Sequence, residues 1–276
     1  MRRPRCLGTT RPLVYRGFDH YGRVRAIAFV DERSSQAEQS TEIRKNVGRT
    51  LAQWESGNKF DILHYDSGRV NVGIGSWTGS RIAELMDNYE RVATDAGTTA
   101  TLYGYFGSQA AFNDVRSRFR ADGAKTVITT DEETAFRDAG GDATLQQAQI
   151  DQRAKDVSKD LDFIGSDGNP WYPFTDGGVG AISEVSAHVL VHAMHQSGNA
   201  GFRQRLRDAI AHFGGDTKLG EGMVDGTITE LDFLAQVAEQ VIANVGAKYK
   251  KGVRNRYDDV MKRFGGSKLA YYFSPA

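Results

Sequence analysis

The stretch Trp54-Glu55-Ser56-Gly57, followed by Tyr65-Asp66-Ser67-Gly68-Arg69-Val70-Asn71-Val72-Gly73-Ile74-Gly75, is where one periodicity gives way to another. Upstream, Ile43, Val47, Leu51 and Trp54 recur at helical spacing. Thr41 is placed to cap that helix, and Gly57 to stop it just after Glu55. Downstream, Val70, Val72 and Ile74 share one parity in a Gly-rich segment, which predicts short strands and tight turns. Glu55 therefore closes a helix, and Asp66 opens a turn-and-strand element.

Further along, Ile82, Leu85, Met86 and Tyr89 resume a helical pattern, as do Phe112, Val115 and Phe119. Helices are also expected over 145–161, 182–194, 202–213, 231–245 and 257–264. The segment from Gly165 to Gly178, rich in Gly, Asp, Pro and aromatics, reads as a loop. Before the opening stretch, two β-prone runs flank Asp19-His20-Tyr21-Gly22, a hairpin signal. Gln36 to Gln39 read as a polar linker, which places a boundary near Ser40. The expected organisation is residues 1–40 as a β-hairpin extension and linker, and 41–276 as the main domain. Its class is α+β, mainly α, with one small β element inserted early.

Composition narrows the function classes. The 276 residues carry 35 Lys+Arg against 35 Asp+Glu, so no net field favours nucleic acid or anionic lipid. No run approaches the eighteen consecutive apolar residues of a membrane-spanning helix. The lone Cys6 leaves no intramolecular disulfide and no cysteine-based zinc site. Residues Cys6 to Tyr15 show no apolar core of a signal peptide. The expectation is a protein made in the cytoplasm and then secreted, or delivered to the cell wall, without a recognisable signal.

Two carboxylates on different elements are what glycoside hydrolysis requires. One must be protonated to release the leaving oxygen; the other must be ionised to activate water. Trp54 beside Glu55 is expected to desolvate it and raise its pKa. Asn71, on the same element as Arg69, is placed to hold a water or a sugar hydroxyl. The same spacing also fits a solvated helix end and a turn-forming Asp.

Glu followed by Asp and a Gly-rich strand ending G-I-G is similar to the catalytic region of the lysozyme superfamily, which includes phage lysozymes and family 46 chitosanases. Asp66 to Trp77, D-S-G-R-V-N-V-G-I-G-S-W, resembles the chitosanase pattern D-G-R-G-Y-T-G-G-I-I-G-F. Leu145 to Arg153, L-Q-Q-A-Q-I-D-Q-R, is similar to that family's F-Q-Q-A-Q-x-D-x-R helix. Val191-His192-Ala193-Met194-His195 with Gly198-Asn199 resembles its I-V-M-H-G-x-G-N segment. The three occur in the family order and span roughly Thr41 to Gly265.

The resemblance implies a lysozyme-like, two-lobed fold with the small β element at the cleft. It implies Glu55 as general acid and Asp66 as general base, with Asn71 where the family has a helpful Thr. Arg69, Tyr65, Gln149 and His195 become substrate-binding candidates; Trp171 joins them from the residues alone, as an aromatic of the Gly/Asp loop that suits either stacking on a sugar face or anchoring the loop. The implied activity is endo-hydrolysis of a β-1,4-linked amino-sugar polymer by an inverting course, with no cofactor. Chitosan is the first substrate implied, and peptidoglycan, as for a phage lysin or exported toxin, the runner-up. Chitosan is a polycation, so Asp61, Glu84 and Asp87 are candidate acidic subsite residues. Two departures stand: the Glu-to-Asp separation is shorter than in chitosanases, and Arg69 is shifted by one.

Three other readings compete. Glu184, His188, His192 and His195 line one helix stripe, and imidazoles four residues apart can bind zinc. H-E-x-x-H is absent, so a satisfied core or polar helix face is preferred and no metal is expected. The amides of Gln146, Gln147, Gln149 and Gln152 suit either sugar hydroxyls or hydrogen bonds between lobes. The cations Lys248, Lys250, Lys251, Arg254 and Arg256 read as a solvated helix end, or as an approach to an anionic polymer. A non-catalytic glycan-binding domain is the remaining class.

Overall fold

The computed structural model describes residues 32–165 and 181–272. The hairpin expected before Ser40, the loop after Gly165 and Trp171 lie outside the described residues. Helix α1 (Glu32–Ser56) runs through Gln36–Gln39 and Ser40, where a linker and a boundary were expected. The segment is polar, but it holds no Gly or Pro before Gly48, so nothing in its backbone chemistry breaks a helix. Thr41 is accordingly an interior residue and not the expected cap. Its hydroxyl donates back to the Ala37 carbonyl at 2.8 Å. After Ser56 the chain turns through Gly57 and Asn58, both in the left-handed region.

Strands β1 (Leu63–Asp66) and β2 (Arg69–Val72) pair antiparallel, with Asp66 opposite Arg69. Ser67 and Gly68 between them both take positive φ, 52° and 78°, the conformation of the tight hairpin turn that matches strand twist. Alternation puts Leu63, Val70 and Val72 into the core, while His64, Asp66, Arg69 and Asn71 share the opposite face. Helices α2 (Ser80–Asp95), α3 (Thr99–Tyr105), α4 (Gln109–Asp122), α5 (Thr130–Gly141) and α6 (Ala143–Ile164) follow. Then come β3 (Ala181–Ser183), α7 (Glu184–His212), α8 (Asp216–Asp225), α9 (Glu230–Asn244), α10 (Lys250–Phe264) and β4 (Ala270–Tyr272). Strand β3 pairs antiparallel with β4, Ile182 opposite Tyr271. The described fold is α+β and mainly α.

The apolar side chains gather in two separate cores. One holds Leu63, Val70, Val72, Trp77 and the apolar faces of α2 to α5. Phe106, Phe112, Phe119 and Phe136 pack edge-to-face there, the Phe106 centroid 5.2 Å from Phe112 and 5.3 Å from Phe136. Such contacts each add about 0.5–1.5 kcal/mol beyond burial. The other core combines α7, α9, α10 and the β3–β4 pair. Helices α1 and α6 serve both: Ile43, Val47, Leu51, Val157 and Leu161 enter this second core, whereas Ala52, Leu145 and Ala148 enter the first. Between the two cores the facing sides of α1 and α6 turn polar. Helix α7 is interrupted at Gly198, whose φ of 64° and ψ of 169° lie outside helical space, just past His195.

Candidate active site

Glu55 stands in the last turn of α1 at this polar seam. Its Oε1 accepts a hydrogen bond from Arg153 Nη2 of α6 at 2.8 Å and lies 2.5 Å from His195 Nε2 of α7. Arg153 is almost wholly buried, whereas His195 is 39% exposed and so connects the pair to solvent. Glu55 Oε2 is buried and has no hydrogen-bond partner among the described residues. Gly48, two turns before Glu55, lets the Arg153 side chain lie close to α1; a Cβ there would sit 3.2 Å from Arg153 Cγ.

The electrostatics correct the expectation for Glu55. Burial raises its pKa, but the hydrogen bond from His195 and the Arg153 charge outweigh it, leaving the carboxyl below its ordinary value. Trp54 therefore does not make Glu55 a standing acid. Asp160, one α6 turn beyond Asp156, behaves oppositely: burial pushes it up to about 6, against the pull of His195, Arg153 and Arg81. At pH 5 the seam thus holds an ionised Glu55 near a largely protonated Asp160. Two carboxyls driven apart by their surroundings supply a base and an acid from one residue class. The sequence reading missed Asp160. Its signal was a polar position continuing the inward stripe of Gln149, Gln152, Arg153 and Asp156 on α6.

Asp66 is placed very differently. It is exposed at the hairpin tip, where its Oδ1 accepts from Ser67 Oγ at 3.2 Å. Arg69, opposite it, is also exposed, and Asn71 Nδ2 donates to the Arg69 carbonyl at 3.1 Å. Asp66, Arg69 and Asn71 are thus brought together on one face, apart from the buried contacts of Glu55. Tyr65 points to the other face and donates to Glu133 of α5, which pushes its phenol up to about 12.

Gln149 is spent inside the fold. Its Oε1 accepts from the Ile74 amide at 2.9 Å, and its Nε2 donates to the Phe60 carbonyl at 2.9 Å and to Tyr89 Oη at 2.8 Å. Fully buried, it pins the Gly-rich loop onto α6 and is not available to a ligand as the structure stands. Gly73 makes room for it, since a Cβ there would meet Gln149 Oε1 at 2.4 Å. Beside it, Gln152 accepts from Asn88 Nδ2 at 2.5 Å, and Asp156 accepts from Trp77 Nε1 at 2.7 Å.

The histidine stripe resolves into three different environments. His188 stacks on Phe264 at 3.9 Å between centroids, and His192 lies between Trp54 at 4.5 Å and Tyr257 at 4.7 Å. Burial lowers both imidazoles to about 3, so they are neutral at ordinary pH. Glu184 accepts from Asn46 Nδ2 at 2.7 Å and from the Ser267 hydroxyl, tying α7 to α1 and to the segment before β4. Among the described residues no three His, Cys, Asp or Glu side chains converge as metal ligands. Among the cations near the C-terminus, Arg254 pairs with Glu239 and Arg256 donates to the Trp54 carbonyl at 3.2 Å, so part of that run is bound into the fold.

Comparison of the chain with protein-family models, with curated proteins and with solved structures finds no match. Among the described residues no helix is long and apolar enough to cross a membrane.

Proposed function

We propose that the protein is an endo-glycoside hydrolase of lysozyme-like, two-lobed fold, acting on a β-1,4-linked amino-sugar polymer. The observation that carries this reading is Glu55, held at the seam of two cores by Arg153 and His195 and followed by a Gly-rich hairpin presenting Asp66, Arg69 and Asn71 on one face. The collinear motifs around Asp66, Gln149 and His195 support it. In this mechanism a bound sugar displaces His195 from Oε1, and one of the two groups holding Glu55 ionised is lost. The carboxyl then carries a proton and gives it to the leaving oxygen, while Asp66 takes a proton from the attacking water. Asp160, whose burial lets it keep a proton in mild acid, is the store for the proton Glu55 needs.

Peptidoglycan gains on chitosan as the substrate. Two residues expected to supply an acidic subsite are neutralised within the fold: Glu84 by Arg81 at 2.5 Å, and Asp87 by Arg120 and by Arg116 at 3.2 Å. A polycation has less to grip there. The test is reducing-end release by the purified protein from chitosan and from peptidoglycan, with Glu55→Gln as control. Release from either polymer, lost in the variant, supports the reading and names the substrate. Release from neither, with glycan binding retained, assigns the chain to the non-catalytic class.

A further inference from the structure

On the side of α6 away from the seam, a groove of about 360 Å³ runs between α1 and α6. Thr41, Arg44 and Lys45 line it from α1; Asp151, Ala154, Lys155 and Ser158 line it from α6. Its charge is one-sided. Arg49 of α1, Arg81 and Arg91 of α2 and Arg153 of α6 all have carboxylate partners. Arg44, Lys45 and Lys155 have none within ion-pair distance among the described residues. Among the described lining residues the one acidic side chain, Asp151, is turned to Arg91 at 2.5 Å and accepts from Gln147 at 2.7 Å. In a chain of zero net charge, three unneutralised cations around one groove form a local concentration of positive potential.

The groove is also organised by polar contacts. Arg44 Nε donates to the Ser40 carbonyl at 3.2 Å, Nη2 to Thr41 Oγ1 at 3.0 Å and Nη1 to Ser158 Oγ at 3.4 Å. Those bonds engage three of its five N–H donors and fix the guanidinium plane across the groove. Each lysine adds three donors on a mobile stem. A carboxylate offers two oxygens and one charge; a phosphate monoester offers three terminal oxygens and close to two charges, and a phosphodiester polymer repeats its single charge along a chain that can reach all three cations.

We propose that this groove binds the phosphate of an anionic ligand, either a free phosphate ester or a phosphodiester polymer. Arg44 is the oriented anchor, and Lys45 and Lys155 close on it from the two helices. The inference does not depend on the reading of Glu55, which uses the other face of α6.

The test is a titration of the full chain with inorganic phosphate at constant ionic strength, followed by backbone amide NMR, with succinate as the carboxylate control. The expected result is saturable shifts confined to 41–45 and 151–158. In Lys45→Ala/Lys155→Ala, apparent affinity falls about tenfold or more, as loss of charge-assisted hydrogen bonds requires. Alanine is favourable in both helices, and an unchanged melting temperature verifies that the variant is folded. A glycerol-phosphate oligomer that binds more tightly than inorganic phosphate assigns the diester source; equal binding assigns a free ester. No shifts in this region, an unaltered response in the variant, or equal binding of succinate would each overturn the proposal.

Discussion

Glu55 and Asp66, the two carboxylates that the sequence pairs, sit in opposite surroundings. Glu55 is enclosed by three helices, shares Oε1 between an arginine and a histidine, and has no partner for Oε2 among the described residues. Asp66 stands in solvent at the tip of a hairpin, with its own neighbour Ser67 as its hydrogen-bond donor. The enclosed group has its chemistry set by the fold; the exposed one has its chemistry set by whatever binds over it. The contrast is between a preorganised half-site and one completed by ligand.

Substitution breaks the comparison most sharply. Glu55→Gln is expected to reduce glycan turnover by about 10³-fold, and Asp66→Asn by about 10²-fold, within the range of general acid–base contributions. Single-turnover rates on the polymer check both. Asp160→Asn should stay within about tenfold of the parent, as a proton store and not the donor. If Asp160→Asn cost as much as Glu55→Gln, the acid would have to be reassigned to Asp160.

Stability against pH sharpens the comparison next. His188 and His192 have folded pKa values of about 3 against an ordinary 6.5, so the unfolded chain binds the extra protons between those limits. Their contribution is present above pH 6.5 and lost as pH falls towards 3. Glu55, held below 4.5, adds loss in the same direction at the acid end. Asp160, raised to about 6, acts with the opposite sign, stabilising below 3.8 and ceasing to as pH rises through 6. Two histidines set against Asp160 leave a slope of about one proton between pH 6 and 4 from these groups, or roughly 1.4 kcal/mol per pH unit. Urea unfolding at several pH values measures it, and a His188→Phe/His192→Phe variant should flatten or reverse it.

Smaller effects test the hairpin's attachment. Gly73→Ala puts a Cβ against Gln149 Oε1 at a residue whose φ is +71°, and should cost about 2 kcal/mol in equilibrium unfolding. Tyr65→Phe removes the exposed bond to Glu133 and should fall within about 0.5 kcal/mol of the parent, with turnover unchanged.

How much of this was legible varied with distance along the chain. Helical spacing of Ile43, Val47, Leu51 and Trp54, and alternation of Val70 and Val72, were local signals and led to α1 and the hairpin. Helix α5 was missed although Thr129 and Glu132 form its capping box, because Ala135 and Ala139 give only a faint apolar stripe. Strands β3 and β4 are three residues each and pair across some ninety positions, which no window reveals. At the seam, Glu55 and His195 were both named from sequence but given separate roles. Their contact is made by α1 and α7 converging on α6, a tertiary event. The pKa of Glu55 was misread for the same reason: Trp54 is adjacent in sequence, whereas Arg153 and His195 arrive from far away.

The two cores also differ in how the chain visits them. The core around the hairpin and α2 to α5 draws its buried residues from one continuous run, Ala52 to Ala148. The other needs Ile43, Val47 and Leu51 together with residues from Val157 to Tyr271. During synthesis, the first can close while the ribosome is still producing α7. The apolar face of α1 gains α6 and α7 first, and is not fully covered until a strand made more than two hundred residues later. Contacts of long sequence separation close slowly and leave sticky intermediates. The α1 face is therefore where a chaperone would have the most to shield, and where truncation before β4 would do its damage.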